Sequence, residues 1–241
     1  VATGTPAIVY SPSPFSCVTC HESHSTFDFE NDGHDYALRS IAPVTLVIDD
    51  ATVVDFGGTS NNCITCHQPR NSYAVPGPTD DYTITSYRFG PHHGPQGTLV
   101  EGVMGANIAG TTGYPGVASS THRTGASCVS CHMGETKAGK GGHSWKPNLN
   151  NCTGCHNDGA GAPKVVFGYA EKMIELETLL VSRNVLLGDP GDYHVNEESN
   201  ISVLEAKAAW NWITLHEDGS KGIHNPAYAK ALLQNSIEAL D

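Results

Sequence analysis

Hydrophobic positions change their rhythm about two thirds of the way along the chain. From residue 164 onward they recur at helical spacing. Val166, Ala170, Met173, Leu176 with Glu177, and Leu180 predict an amphipathic helix over 164–187. Ser202-Val-Leu-Glu205 is a capping box, in which the serine and glutamate side chains each satisfy a backbone donor of the first turn. It predicts a second helix that carries Leu204, Ala208, Trp212 and Leu215 on one face and ends at Gly219. Asn225-Pro226 supplies an N-cap and a first position of fixed φ for a third helix, with Ala229, Leu233, Ile237 and Leu240 on one side. Trp210, Trp212 and Tyr228 are read as core residues of this unit, with contact to a flat cofactor as the competing reading.

Upstream the periodicity nearly vanishes. Residues 44–56 contain two short β-branched runs on either side of Asp49-Asp50, which predicts a small hairpin. Residues 1–16, rich in Ser, Pro and Thr, read as an extended arm. From 57 to 125 turn formers dominate, with a short helix expected over 97–106. With 26 glycines, 14 prolines and 39% apolar residues, a large conventional core is not expected here. The expected organisation is an irregular region over 1–163 and a helical region over 164–241, packed as one continuous domain.

Four copies of one pentapeptide change that picture: Cys17-Val-Thr-Cys20-His21, Cys63-Ile-Thr-Cys66-His67, Cys128-Val-Ser-Cys131-His132 and Cys152-Thr-Gly-Cys155-His156. They use all eight cysteines. Cys-x-x-Cys-His is the attachment pattern of c-type haem: two thiols add across the two vinyl groups of one porphyrin, and the histidine becomes the proximal iron ligand. Two zinc sites of four thiolates each are the alternative, but they give no reason for a histidine after every pair. Disulfides within such close cassettes are disfavoured. The fold class expected is therefore a mostly irregular multihaem cytochrome, with a small β-hairpin, a C-terminal helical unit, and a core built on four covalent haems.

Thirteen Lys and Arg against 25 Asp and Glu give a net charge of −12, which disfavours nucleic acid as a partner. Covalent haem is attached outside the cytoplasm, so the expected location is extracellular or at the cell surface after export through the periplasm. Val1-Ala2-Thr3-Gly4 shows neither the basic nor the apolar region of a signal peptide, and the expectation is a chain whose leader has been removed. No aliphatic run is long enough to cross a bilayer.

Nine histidines remain beyond the four proximal ones, and four irons need four more ligands if each is bound by two imidazoles. Methionine, the alternative distal ligand, is scarce: Met104, Met133 and Met173 are the three present, and Met133 follows a proximal histidine directly. The stretch His122-x5-Cys128-Val-Ser-Cys131-His132-Met, then Gly-His143-Ser-Trp-Lys-Pro and the last cassette, resembles multihaem cytochromes related to the pentahaem nitrite reductases. Gly222-Ile-His224-Asn-Pro resembles the C-terminal ligand motif of that family. The resemblance covers residues 88–240 and implies that His122 serves the third haem, His224 the fourth, and His143 an earlier one. Each could instead be an ordinary loop histidine. For the remaining ligand, His93 in Arg88-Phe-Gly-Pro-His92-His93-Gly-Pro-Gln is favoured over His92, and His24 and His34 compete with it. His194 and His216 are read as surface histidines or partners of haem propionates.

His24 follows the first cassette as Cys-x-x-Cys-His-x-x-His. At this spacing the chain resembles the tetrahaem filament-forming extracellular cytochromes, in which such a histidine binds a haem of the next subunit. That resemblance implies a head-to-tail homopolymer that conducts electrons, with other redox proteins or extracellular electron acceptors as partners and no catalytic residues. A monomeric periplasmic carrier shares the same haem chemistry. A nitrite or hydroxylamine reductase would need one open haem; the related reductases use Cys-x-x-Cys-Lys there, and this chain has no such cassette.

Overall fold

The computed structural model describes residues 14–22, 36–72, 81–157 and 167–241. Val166, His24 and His34, which the sequence singled out, lie outside the described residues.

The first part of the chain is built from very short elements. In order they are helix α1 (Cys17–Cys20), strands β1 (Val44–Thr45) and β2 (Val53–Val54), helix α2 (Asn61–Ile64), strand β3 (Tyr82–Thr83), and helices α3 (Gln96–Glu101), α4 (Thr121–Gly125) and α5 (Ser127–His132). Strands β1 and β2 pair antiparallel, Val44 opposite Val54. Their turn is made by Asp49, whose carboxylate accepts from the backbone N–H groups of Ala51 and Thr52 and from the Thr52 hydroxyl. Those bonds, the Thr52 hydroxyl first, hold the Asp49 carboxyl below its usual range. Beneath the hairpin Leu46, Val54, Phe56, Ile64 and Val100 form a small separate core. The helix expected over 97–106 is only Gln96–Glu101, because Gly102 takes a left-handed φ of 85° and closes it.

The last third is helical as expected: α6 (Tyr169–Ser182), α7 (Val203–Asp218) and α8 (Pro226–Leu240), with small strands β4 (Leu186–Leu187), β5 (His194–Val195) and β6 (Asn200–Ile201) between α6 and α7. The first helix is shorter than 164–187: after Ser182 the chain turns at Asn184, with φ at 59°, into β4. Its buried positions are Tyr169, Leu176 and Leu180, while Ala170 points outward. Helix α7 opens on the Ser202–Glu205 capping box and closes at left-handed Gly219. It is buried nearly all round, which makes Leu204 the exception rather than a core residue; that side chain is 47% exposed. Asn225 caps α8 by accepting from the Tyr228 N–H. Trp210, Trp212 and Tyr228 are buried in this core.

The two parts are sewn together. Strand β3 pairs with β6, Tyr82 opposite Ile201. Ile84, Leu99, Ala106 and Ile108 enter the same core as the three helices. Two fully buried asparagines act as backbone surrogates for the irregular segment after α3. Asn211 accepts from the Ala106 N–H at 2.7 Å and donates to the Ala106 carbonyl at 2.8 Å. Asn235 accepts from Thr112 and donates to Ile108 and Thr112. Gly105 lies so close to α8 that a Cβ would collide with Leu232 and the Tyr228 hydroxyl. Replacing Asn211 with leucine orphans both Ala106 groups and the Ser236 hydroxyl; the haem-loaded protein is expected to lose on the order of 3 kcal/mol, read from the midpoint of chemical denaturation.

Candidate haem sites

Each cassette folds as about one helical turn: α1, the end of α2, α5, and the 3₁₀ turn Leu149–Gly154. The backbone N–H of His21, His67 and His156 donates to the carbonyl of the first cysteine of its own cassette, at 2.8, 2.9 and 2.8 Å. In one turn, positions i, i+3 and i+4 share a face, so the two thiols and the imidazole project together. All eight cysteines are described and none is joined to another. Among the described residues no three His, Cys, Asp or Glu side chains converge on a common point, as a four-thiolate zinc site requires.

Three of the four proximal imidazoles face a second imidazole. His21 lies opposite His143 with ring centres 6.1 Å apart, His132 opposite His224 at 6.2 Å, and His122 opposite His156 at 6.2 Å. A metal–imidazole bond of about 2.0–2.1 Å plus about 1.1 Å from nitrogen to ring centre, counted on both sides, gives about 6.3 Å. The three separations are those of two imidazoles sharing one iron, so the residues fit haem.

In four of these six imidazoles the other ring nitrogen is already occupied. His21 Nδ1 donates to the Tyr36 carbonyl at 2.8 Å, His132 Nδ1 to the Trp145 carbonyl at 2.8 Å, and His122 Nδ1 to the Ile223 carbonyl at 2.5 Å. His224 Nδ1 donates to the Asp218 carboxylate at 2.5 Å. His67 Nδ1 faces Gln96 Oε1 at 3.1 Å, and that oxygen is fixed because Gln96 Nε2 donates to the Glu217 carbonyl. An acceptor on Nδ1 fixes the proton there and leaves the Nε2 lone pair for a metal.

The pairing differs from the order that the resemblance implies. His122 faces the fourth proximal histidine, not the third, and His224 faces the third, not the fourth. The reason is local: α4 and α5 are joined so tightly that His122 lies beside its own cassette, while the turn after α7 carries His224 across to His132. His143 faces the first site. Among the described residues no imidazole is paired in this way with His67. An open pocket of about 350 Å³ beside it is lined by Phe15, Cys66, Arg70, His93, Gly94 and Glu217, among others. His93 is exposed, with Nδ1 3.5 Å from Glu217, and its ring lies 4.8 Å from that of His92. His194 and His216 are exposed, the latter edge-on to Trp212.

The cassettes touch one another. Cys128 of the third packs against the small core that holds Ile64 of the second, beside Cys63. Ser60 and Ser127 hydroxyls meet at 2.7 Å beside them. The third and fourth are joined by Asn151 Nδ2 donating to the Cys131 carbonyl at 3.3 Å, and by the adjacent residues Ile223 and His224, which serve one site each. The first and third are linked through residues 143–145, since His143 faces His21 while the Trp145 carbonyl holds His132. The third site thus adjoins the other three. The proximity of the last two cassettes follows from their spacing; the contact between the second and third has no signal in the sequence. Nor do the sequence motifs identify Asp218 or Gln96, although an acid in the last turn of a helix opposes the helix dipole and is a mark of some other use.

No family model matches this chain, and no curated protein does. Among solved structures, an undecahaem cytochrome from the S-layer of Carboxydothermus ferrireducens is similar over 94% of this chain and 31% of its own, with a TM-score of 0.51 and 19% identity. The outer cell wall cytochrome OcwA matches over 62% of this chain and 30% of its own, with a TM-score of 0.44 and 22% identity. The chain thus spans about a third of the length of these proteins. Its fold is that of a stretch of a multihaem cytochrome. Among the described residues no helix is long and apolar enough to cross a membrane.

Proposed function

We propose that this chain is a tetrahaem c-type cytochrome that transfers electrons without substrate chemistry of its own, and that it polymerises head-to-tail into an extracellular filament. The observation that carries the electron-transfer reading is the set of three imidazole pairs at iron-bridging separation. Two imidazoles on opposite sides of an iron leave no position for a substrate. Bound haem supplies a one-electron iron couple at each site. The chain's residues would do the rest: the cysteines would anchor each haem, the paired histidines at three of the sites would ligate its iron, and the Nδ1 partners of His21, His122, His132 and His224 would fix their orientation. Contacts of the third cassette with the second and fourth, and its link to the first through residues 143–145, would bring the four sites into one path. The S-layer origin of the undecahaem cytochrome is in keeping with a place outside the cell.

At the second site two ligands separate a monomer from a polymer. His93, which lines the pocket beside His67, closes the site within one copy. His24 of the next copy closes it across a heterologous contact, which generates an open helical filament when the rotation does not close. Electron microscopy of the native protein and of His24→Ala tests this. Filaments in the native protein that disappear in the variant, with four haems still attached, are the expected result. Filaments that persist in the variant remove His24 from the contact. Dispersed particles in the native protein reduce the function to a carrier, and a high-spin iron at any of the three paired sites overturns the saturated-ligand reading.

A further inference from the structure

We propose that Asp218 sets the reduction potential of the third site and makes it the lowest of the four. The inference rests on the reading that His132 and His224 share one haem iron. His224 differs in its Nδ1 partner from the four other site imidazoles whose Nδ1 partner the structure describes. His21, His132, His122 and His67 each face a neutral carbonyl oxygen, whereas His224 donates to a carboxylate at 2.5 Å. The Asp218 side chain has no solvent exposure at all. Its second oxygen accepts from the Ser220 N–H at 3.1 Å and from the Ser220 hydroxyl, which fixes the carboxylate in place. Among the described residues no lysine or arginine pairs with it. Tyr169, packed nearby, has its phenol pushed up first by burial and then by this same charge.

A carbonyl draws weakly on an imidazole proton; a buried carboxylate draws strongly and leaves more negative charge on the ring. The ring then becomes a more basic ligand at Nε2 and favours the ferric over the ferrous ion. The carboxylate charge acts directly in the same direction, since the oxidised iron carries one more positive charge and the intervening medium is dry. Glu217 beside His93 is not equivalent: the separation is 3.5 Å and the imidazole is 69% exposed, so water screens it. Asp218 touches no iron and is a positioning residue, acting through His224. Its place in the last turn of α7, against the helix dipole, is otherwise unfavourable.

The test is a potentiometric titration of the haem-loaded protein, native and with Asp218→Asn or Asp218→Glu, alongside low-temperature electron paramagnetic resonance of the oxidised forms. In Asp218→Asn the lowest wave, a quarter of the haem absorbance, should move up by about tenfold in its reduction equilibrium, which is about 59 mV for one electron. The other three should hold, and Asp218→Glu should restore the low wave. One ferric centre of the native protein should show distinct g-values that change only in the asparagine variant. Four unmoved waves with four low-spin haems overturn the inference and leave the haem reading intact. A third site that is not low-spin in the native protein overturns both. Should the asparagine variant fail to accumulate, the native resonances of the three paired sites decide: one distinct from the other two upholds the inference, and three alike overturn it.

Discussion

Replacing His224 with alanine is expected to convert one haem iron in four from low-spin to high-spin, and to do so at the third site. The imidazole is lost from a ring pair 6.2 Å apart, so His132 is left as the single protein ligand of that iron. The Asp218 carboxylate, fully buried, loses its hydrogen-bond donor, which costs about 2–3 kcal/mol on top of the lost iron ligand. Visible spectroscopy of the oxidised protein measures the spin change, and thermal denaturation the loss of stability. The assignment to the third site has its own control. Removing the fourth cassette by Cys152→Ala with Cys155→Ala should leave the high-spin signal in place; a signal that vanishes with that cassette would return His224 to the fourth haem.

Deleting the third cassette, by Cys128→Ala with Cys131→Ala, is expected to be the most damaging of the four such deletions. The third site adjoins every other: Cys128 packs beside Cys63, the Cys131 carbonyl accepts from Asn151, and the Val129 N–H donates to Ser60. Its two histidines are also tied to segments that serve neighbouring sites, through Trp145 and Ile223. Without that haem the space between His132 and His224 would have to collapse or flood, and the packing around three sites would follow. Soluble yield after export, and haem-to-protein ratio of what survives, are the measurements. The first- or fourth-cassette deletions should accumulate with three haems, while the third-cassette deletion should be degraded. Equal yields from all four would show that the sites are energetically independent.

The helices and the hairpin were legible because their signals are local. A capping box, an Asn-Pro start and a closing glycine each act within a few residues, and all three hold in α7 and α8. The cassettes were legible for the same reason, being single turns. What the sequence could not supply was anything decided across space. The end of α6 is set by the β4–β5 pairing, and the exposure of Leu204 by which neighbours α7 meets. The partner of each proximal histidine depends on the path of the chain between them. Resemblance brought His122, His143 and His224 forward as candidates, but which proximal ring His122 and His224 each face differs from the order it implies. Asp218 and the asparagines at 211 and 235 carry no pattern at all, because a buried polar residue on a helix is recognised only once its hydrogen-bond partner is in view.

The imidazole pairs also bear on the order in which the protein is made. His21 and His143, and likewise His132 and His224, come from segments roughly a hundred residues apart, yet each pair closes on one point. Closing so long a loop costs only about 0.6 kcal/mol more for each doubling of its length, so distance along the chain is a small thermodynamic burden. It is a large kinetic one, since contacts far apart in sequence form late. Export from the N-terminus, on the proposed reading, would bring the first cassette to the compartment of haem attachment before residue 143. On that reading, a haem attached to the first cassette before residue 143 arrives would have the opposite side of its iron held by something other than its final ligand. Maturation in that order would be a sequence of ligand exchanges, completed only when the last third has folded.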